Sequence, residues 1–322
     1  MKITALAGGV GGAKFAHGLN QLGDAIDLTV IANTGDDFEH LGLYISPDVD
    51  TLCYTLAEKV NTETGWGRND ESWRVLEEIS ILGGPDWFRI GDRDFATHIE
   101  RTRRMANGES LSQVTARFCE QWGVNAKILP MSDSPVQTMV KTGQGWMGFQ
   151  EYFVKNQFAP KVEEFVFKGI SEAMPSSAVM QAINACDLII ICPSNPWVSI
   201  DPILAIPGLR TALLKKPVVG ISPVIGGKAV KGPAAKMFAE LGISPSALAV
   251  ADHYKDLLSL IVIDQIDQDQ ILAIEGLGII ASTSDILMKD NQDRRRLAME
   301  VIDFAKQLVL NNKSEIGKIN KP

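Results

Sequence analysis

The sequence predicts an α/β fold, doubly wound and Rossmann-like, with a mostly parallel sheet, a helical subdomain and a β-rich insertion. Three observations predict it. A short apolar strand, Lys2–Ala7, runs into a glycine-rich turn and a helix at Ala13–Leu22. A second, continuously apolar strand follows at Leu28–Ala32, the pattern of a strand covered on both faces. Two later apolar runs, Leu188–Cys192 and Pro217–Ile221, each end in a polar loop rich in proline or glycine. Strand, glycine turn, helix, strand is the opening of a doubly wound fold.

The remaining elements follow in chain order. Residues 50–122 read as mainly helical. Thr51–Val60, Glu71–Ile81, Phe95–Met105 and Leu111–Gln121 carry apolar residues at three- and four-residue spacing. Gly65–Trp66–Gly67 and Asn107–Gly108 break them as turns. Lys127–Pro130 is a short strand. Residues 133–167 change character. Val136–Lys141, Trp146–Phe149, Tyr152–Val154 and Glu164–Phe167 alternate and carry aromatics, as a β-rich insertion on the sheet edge would. After the later strands, Gly232–Pro233 is expected to cap a helix. Arg294–Leu310 forms an amphipathic helix, and residues 311–322 a polar, frayed tail. No repeat or low-complexity stretch interrupts the chain, so residues 1–310 are read as a single domain.

Composition bounds the function. With 322 residues and 45% hydrophobic content, the chain can bury a large core and is not globally disordered. Its 39 acidic and 31 basic residues give a net charge of −8, which argues against nonspecific nucleic-acid binding and against an anionic membrane surface. No stretch approaches the ~20 apolar residues that cross a bilayer. The apolar start breaks at Gly8–Gly9, too early for a signal-peptide core. Cys53, Cys119, Cys186 and Cys192 form no CxxC pair and fit buried free thiols in a reducing cytoplasm.

In open α/β sheets, ligands bind beyond the carboxyl ends of the strands. Those ends carry Gly8–Lys14, Asn33–Asp37, Pro193–Asn195 and Ser222–Gly227. Gly8, Gly9, Gly11 and Gly12 let backbone amides approach a phosphate, the helix start adds partial positive charge, and Lys14 adds a full one. The run is neither a Walker A loop nor a clean GxGxxG, because Lys14 stands where the third glycine belongs. Asn33–Thr34–Gly35–Asp36–Asp37 suits either a Mg²⁺ or ribose contact or ordinary turn chemistry. Ser46–Pro47–Asp48–Val49–Asp50 reads as a helix start whose carboxylates complement the helix dipole. The alternative is a second carboxylate group facing Asp36 across the rim.

Trp87–His98 packs two arginines, two aspartates and a histidine together, an anion pocket or a helix cap with exposed ion pairs. Arg101, Arg103 and Arg104 extend it, either solvated or widening the pocket. His98 has no nucleophile or metal partner spaced with it and reads as a hydrogen-bonding residue. Ser194, Asn195 and Ser222–Lys228 offer polar groups for a base, a ribose or a second phosphate. No GxSxG, HExxH, kinase or RNA-binding signature is present.

Taken together, the motifs resemble the 2-phospho-L-lactate transferase (CofD-like) family. They are GGVGGAK (Gly8–Lys14), NTGDD (Asn33–Asp37), SPDVDT (Ser46–Thr51), GWG (Gly65–Gly67), GDRDFATHIERT (Gly91–Thr102), LPMSD (Leu129–Asp133), FQEYFV (Phe149–Val154), PSNPWVSIDPIL (Pro193–Leu204) and ISPVIGGKAVKGPA (Ile221–Ala234). Each is weak alone and specific in that order, from residue 1 to about residue 290.

The resemblance implies a Mg²⁺-dependent transferase of coenzyme F-420 biosynthesis. The donor would be a guanosine diphosphate ester of lactate or enolpyruvate, and the acceptor the ribityl hydroxyl of the deazaflavin Fo. GMP would leave. It implies that Asp36 and Asp50 are essential metal-binding carboxylates, with Asp50 also near the attacking hydroxyl and acting as ligand or base. It places Arg89 in the acceptor site, and Ser194 and Asn195 in the nucleotide loop. The glycine loop and Lys14 would neutralise the donor diphosphate, with Asn33 beside them. Trp146, Phe149 and Tyr152 would cover a flat ring or fill core. A homodimer is a family expectation.

Two positions depart from the pattern: Asp201 and Ala249 stand where glycine is usual. The competing readings are a non-catalytic nucleotide-sugar-binding regulator and a dinucleotide-dependent oxidoreductase. The retained SPDVDT and GDRDFATH motifs oppose the first. The broken GxGxxG opposes the second.

Overall fold

Seven short strands pair in parallel to make the central sheet: β1 (Lys2–Ala7), β2 (Asp27–Ala32), β3 (Lys127–Pro130), β4 (Leu188–Ile191), β5 (Val218–Ile221), β6 (Leu260–Asp264) and β7 (Ile280–Ser284). The computed structural model describes residues 1–229 and 234–319 of the chain. Across the sheet the order is β7–β6–β5–β4–β1–β2–β3, with every pairing parallel. The order reverses between β1 and β4, which creates a crevice at the carboxyl ends of those two strands.

The inner strands β4 and β5 are wholly apolar because both their faces are covered. In β4, Ile189 and Ile191 join one buried core, while Leu188 and Ile190 join the core on the opposite face. Helix α1 (Gly9–Asn20) packs on the second of these cores, against α2 (Pro47–Leu56) and the C-terminal helix Asn291–Ile319. Gly18 permits that approach, since a Cβ there would lie 2.1 Å from the Arg294 carbonyl oxygen.

Between β2 and β3 lie α2, α3 (Arg74–Ile81), α4 (Asp92–Ala106) and α5 (Leu111–Gln121), the helical segment expected from spacing. Boundaries moved where capping decides them. Helix α2 starts at Pro47 and stops at Leu56, short of the expected Val60. Asp92 does not cap its own helix. It accepts the Val75 amide at the start of α3, while Glu71 accepts the Arg93 and Asp94 amides at the start of α4. Each helix is therefore capped by a residue that precedes or begins the other. A hairpin, Phe38–His40 with Leu43–Ile45, was not foreseen, because its strands are three residues long.

The insertion is a three-stranded antiparallel sheet, with Gln137–Thr142 between Gly145–Gly148 and Val162–Lys168. The expected strand at Tyr152–Val154 is instead part of a π-helical turn, Glu151–Lys155. Strands β6 and β7 were not anticipated, although LIVID in β6 is fully buried. The C-terminal helix extends beyond Arg294–Leu310 at both ends. The expected cap at Gly232–Pro233 and the last three tail residues lie outside the described residues. Among the described residues, no helix is long and apolar enough to cross a membrane. All four cysteines are buried and free.

Candidate active site

A cavity of about 760 Å³ opens at the crevice between β1 and β4. Its floor is the first turn of α1. The glycine run does not precede the helix as a loop: Gly9, Val10 and Gly11 are its first residues. Gly9 has φ +65°, a left-handed conformation that favours glycine. At Gly11 a Cβ would sit 2.3 Å from the Pro193 carbonyl oxygen, so only glycine lets α1 meet the loop after β4. At Gly8 a Cβ would meet Asp48 at 2.6 Å, and at Gly12 it would meet the Ser194 hydroxyl at 2.5 Å. The result is a helix N-terminus aimed into the cavity, with Lys14 on the same wall. Lys14 also donates to the Met288 carbonyl at 3.1 Å, which ties it to the segment Ile286–Lys289 on the rim.

Carboxylates gather beside that helix start. Asp36, Asp48, Asp50 and Asp94 all line the cavity, so the SPDVDT carboxylates do face Asp36. Their partners differ. Asp48 accepts the Gly9 amide at 2.7 Å and the Asn33 side-chain amide at 2.9 Å. Burial pushes its pKa up to about 6 against those two hydrogen bonds. Asp37 is buried and accepts the hydroxyls of Ser46 (2.7 Å) and Tyr44 (2.9 Å). Ser46 therefore supports Asp37 rather than capping α2.

Asp36 is the least compensated. One oxygen accepts the Gln150 amide at 3.4 Å, and Oδ1 is buried with no hydrogen-bond partner. Burial first, then the nearby Asp48 and Asp37 charges, hold its carboxyl well above the usual range.

Asp50 is paired with Arg101, a guanidinium only 1% exposed. This corrects the expectation that Arg101 is solvated or part of an anion pocket. His98 lies between Arg101 Nη1 (3.3 Å from Nδ1) and Asp94 Oδ1 (3.4 Å from Nε2). It was expected to be a hydrogen-bonding residue; its Nδ1 faces Arg101, its Nε2 is buried with no hydrogen-bond partner, and the ring lines the cavity. Asp94 also accepts the Tyr54 hydroxyl at 2.6 Å. Burial raises the Asp94 pKa, but His98, Tyr54 and Arg101 outweigh it and the net direction is down.

Several expected site residues play supporting parts. Asn33 does not line the cavity: its amide is spent on Asp48 and the Val198 carbonyl, and its oxygen accepts the Gly35 amide. Ser194 lines it, but its hydroxyl bridges the Gly8 carbonyl (2.8 Å) and amide (3.3 Å), locking the β4 loop to the β1 loop. Asn195 also lines it while accepting the Trp197 amide at 3.1 Å. Gly12 lies beneath the floor. Arg89 is at the mouth, its guanidinium 4.3 Å from the Trp73 ring centre.

The aromatic wall is not the one expected. Phe149 lines the cavity, but Tyr152 is in the core and Trp146 stands at the insertion's outer edge. Phe153 from the π-helical turn, and Trp66, Trp87, Phe88 and Tyr54 from the helical segment, complete it. Trp66 belongs to the GWG stretch, read as a turn, and Trp87 to the Trp87–His98 stretch, read for its charges. Asp201, one of the two departures, pairs with His253 at 2.9 Å away from the cavity.

Comparison with known proteins decides the family. The model of the family "2-phospho-L-lactate transferase CofD" matches residues 3–303. The chain belongs to the 2-phospho-L-lactate transferase family. It is therefore a transferase of a family that acts in coenzyme F-420 biosynthesis. A phosphoenolpyruvate transferase of Kitasatospora aureofaciens is 43% identical, and one of Streptomyces griseus 42% identical, each alignment covering 96% of this chain and 99% of the relative. A 2-phospho-L-lactate transferase of Methanosarcina acetivorans is 38% identical over 92% of this chain and 97% of its own length. Among solved structures, a Bacillus halodurans protein superposes with a TM-score of 0.63 at 14% identity, covering 93% of this chain and 98% of the other. That likeness is one of fold.

Within this transferase the residues present fit a divalent cation. Among the described residues, no three acidic, histidine or cysteine side chains converge as a ready-made cage. What exists is one orphaned buried carboxylate oxygen on Asp36, with Asp48 and Asp50 lining the same cavity. Mg²⁺ is commonly held in that way, by one or two carboxylates and substrate phosphates.

Proposed function

We propose that this chain forms the phosphodiester of coenzyme F-420-0 or its dehydro form. The donor is lactyl- or enolpyruvyl-diphospho-guanosine and the acceptor is Fo. The terminal ribityl oxygen of Fo attacks the phosphorus next to the acid. A new P–O bond forms, the bond to the GMP oxygen breaks, and the hydroxyl loses its proton. The observation that carries this reading is one cavity holding a helix N-terminus, an uncompensated carboxylate and an aromatic wall.

Each part has a task. Lys14 and the first-turn amides of α1 beyond Gly9, whose amide is held by Asp48, face the donor diphosphate and neutralise it. Asp36 and Asp50 would hold Mg²⁺, which supplies charge neutralisation on the phosphoryl oxygens when bound. Asp50 also orients the acceptor hydroxyl or accepts its proton. Arg89 and the tryptophans at the mouth receive Fo, and the loop at Ser194–Asn195 receives the nucleoside. Five relatives named phosphoenolpyruvate transferase are 40–43% identical, against 36–38% for three named 2-phospho-L-lactate transferase, which favours the enolpyruvyl ester as the donor. The same reading carries a cytoplasmic setting and a homodimer.

Acceptor binding tests it. Titrating Fo into the protein, followed by its own fluorescence, is expected to saturate. Arg89→Ala is expected to raise the KM for Fo about tenfold, equivalent to about 1.4 kcal/mol, with the donor KM unchanged. Failure of Fo to bind to folded protein would refute the acceptor assignment, and an unchanged KM would remove Arg89 from the acceptor site.

A further inference from the structure

Asp50 faces the cavity with both oxygens already engaged from behind. Arg101 Nη1 donates to Oδ2 at 2.9 Å and Nη2 donates to Oδ1, a two-pronged pair in which both side chains are buried. Arg101 itself does not line the cavity. Its Nη1 also faces His98 Nδ1 and reaches the Tyr44 carbonyl at 3.4 Å. These contacts fix the guanidinium plane, and a planar fork fixes the plane of the carboxylate it grips. A lysine would supply charge without that orientation.

From this geometry we propose that Arg101 is the positioning residue of the transfer reaction: it sets the angle at which Asp50 meets the acceptor hydroxyl, and acts on the rate only through Asp50. The inference rests on the role of Asp50 proposed above. A buried guanidinium could serve stability alone, and a group held behind a cavity residue would then leave turnover per folded molecule unchanged. The two cases separate experimentally. Removing one member of a buried ion pair strands the other, whereas neutralising both does not. Side chains acting as one unit give non-additive effects.

The experiment is a double-mutant cycle with Asp50→Asn, Arg101→Met and the double variant, plus Arg101→Lys. It reads kcat, both KM values and the thermal midpoint without metal. R101M is expected to lower kcat on the order of 10²-fold, the scale of a small misplacement of a reacting group, with KM values within about threefold. R101K is expected to recover part of that loss. The double variant is expected to match D50N in kcat and to melt above R101M.

Wild-type-like kcat in R101M, or a double variant whose loss approaches the product of the single losses, would overturn the proposal. Should R101M not fold, D50N against the double variant decides: equal kcat supports it and a further loss beyond about fivefold overturns it. Wild-type-like kcat in D50N would instead remove the Asp50 role on which the inference rests.

Discussion

Asp36→Asn is expected to lower turnover on the order of 10²–10³-fold while making the metal-free protein more stable. Both effects have one origin. Asp36 Oδ1 is buried without a hydrogen-bond partner, and Asp48 and Asp37 add like charge beside it. A carboxylate kept in that state costs folding energy unless a cation compensates it. Asparagine removes the charge, and with it the proposed means of holding Mg²⁺. Thermal melts in EDTA and steady-state rates in Mg²⁺ check the two halves separately. A variant that is less stable and fully active would contradict the assignment.

The same residues give a pH dependence whose sign is fixed. Asp36 and Asp48 have carboxyl pKa values raised in the folded state, Asp48 to about 6. The folded protein therefore binds protons at a pH where the unfolded chain has lost them. For Asp48, metal-free stability is expected to fall as pH rises from about 4 to about 6 and to level off above that, with Asp36 extending the fall to higher pH. For Asp48 alone the change is on the order of 1–3 kcal/mol. Saturating Mg²⁺ should flatten the profile, and Asp36→Asn should reduce its slope.

Gly11→Ala carries the second large effect. Its Cβ would lie 2.3 Å from the Pro193 carbonyl oxygen, a contact between two pieces of backbone that no rotamer relieves. The first turn of α1 must then move off the loop after β4. Stability should drop by about 1–3 kcal/mol, and kcat/KM for the donor by about 10²-fold, because the phosphate-facing amides shift. Gly143→Ala is the control, since a Cβ there meets nothing within 4 Å. It should stay within about 0.5 kcal/mol of the parent. Equal behaviour of the two variants in a donor-dependence assay would show that α1 does not hold the diphosphate.

Much of this architecture was legible from residue order. Continuous apolar runs such as Leu188–Cys192 signal strands covered on both faces, and the structure pairs them in parallel. The rim loops were found because small and polar residues interrupt those runs. What was not legible depends on contacts distant in sequence. The Asp50–Arg101 pair joins residues 51 positions apart on different helices, so the sequence left Arg101 with Arg103 and Arg104 as either solvated or part of an anion pocket. For Asp48 the sequence left dipole complementation and a carboxylate group facing Asp36 both open, and only the fold brings it to the Gly9 amide. Of the three aromatics expected at a ring-binding wall only Phe149 lines the cavity, and a π-helical turn where a strand was expected adds Phe153 while Tyr152 is in the core.

The central claim is the reaction itself. The most direct test incubates purified protein with Fo, Mg²⁺ and either enolpyruvyl- or lactyl-diphospho-guanosine, following all products by mass. Formation of the deazaflavin phosphodiester, with GMP released one for one and no product in EDTA, is the predicted result. Folded protein that binds Fo and either donor in Mg²⁺ yet releases no GMP and forms no phosphodiester would contradict it.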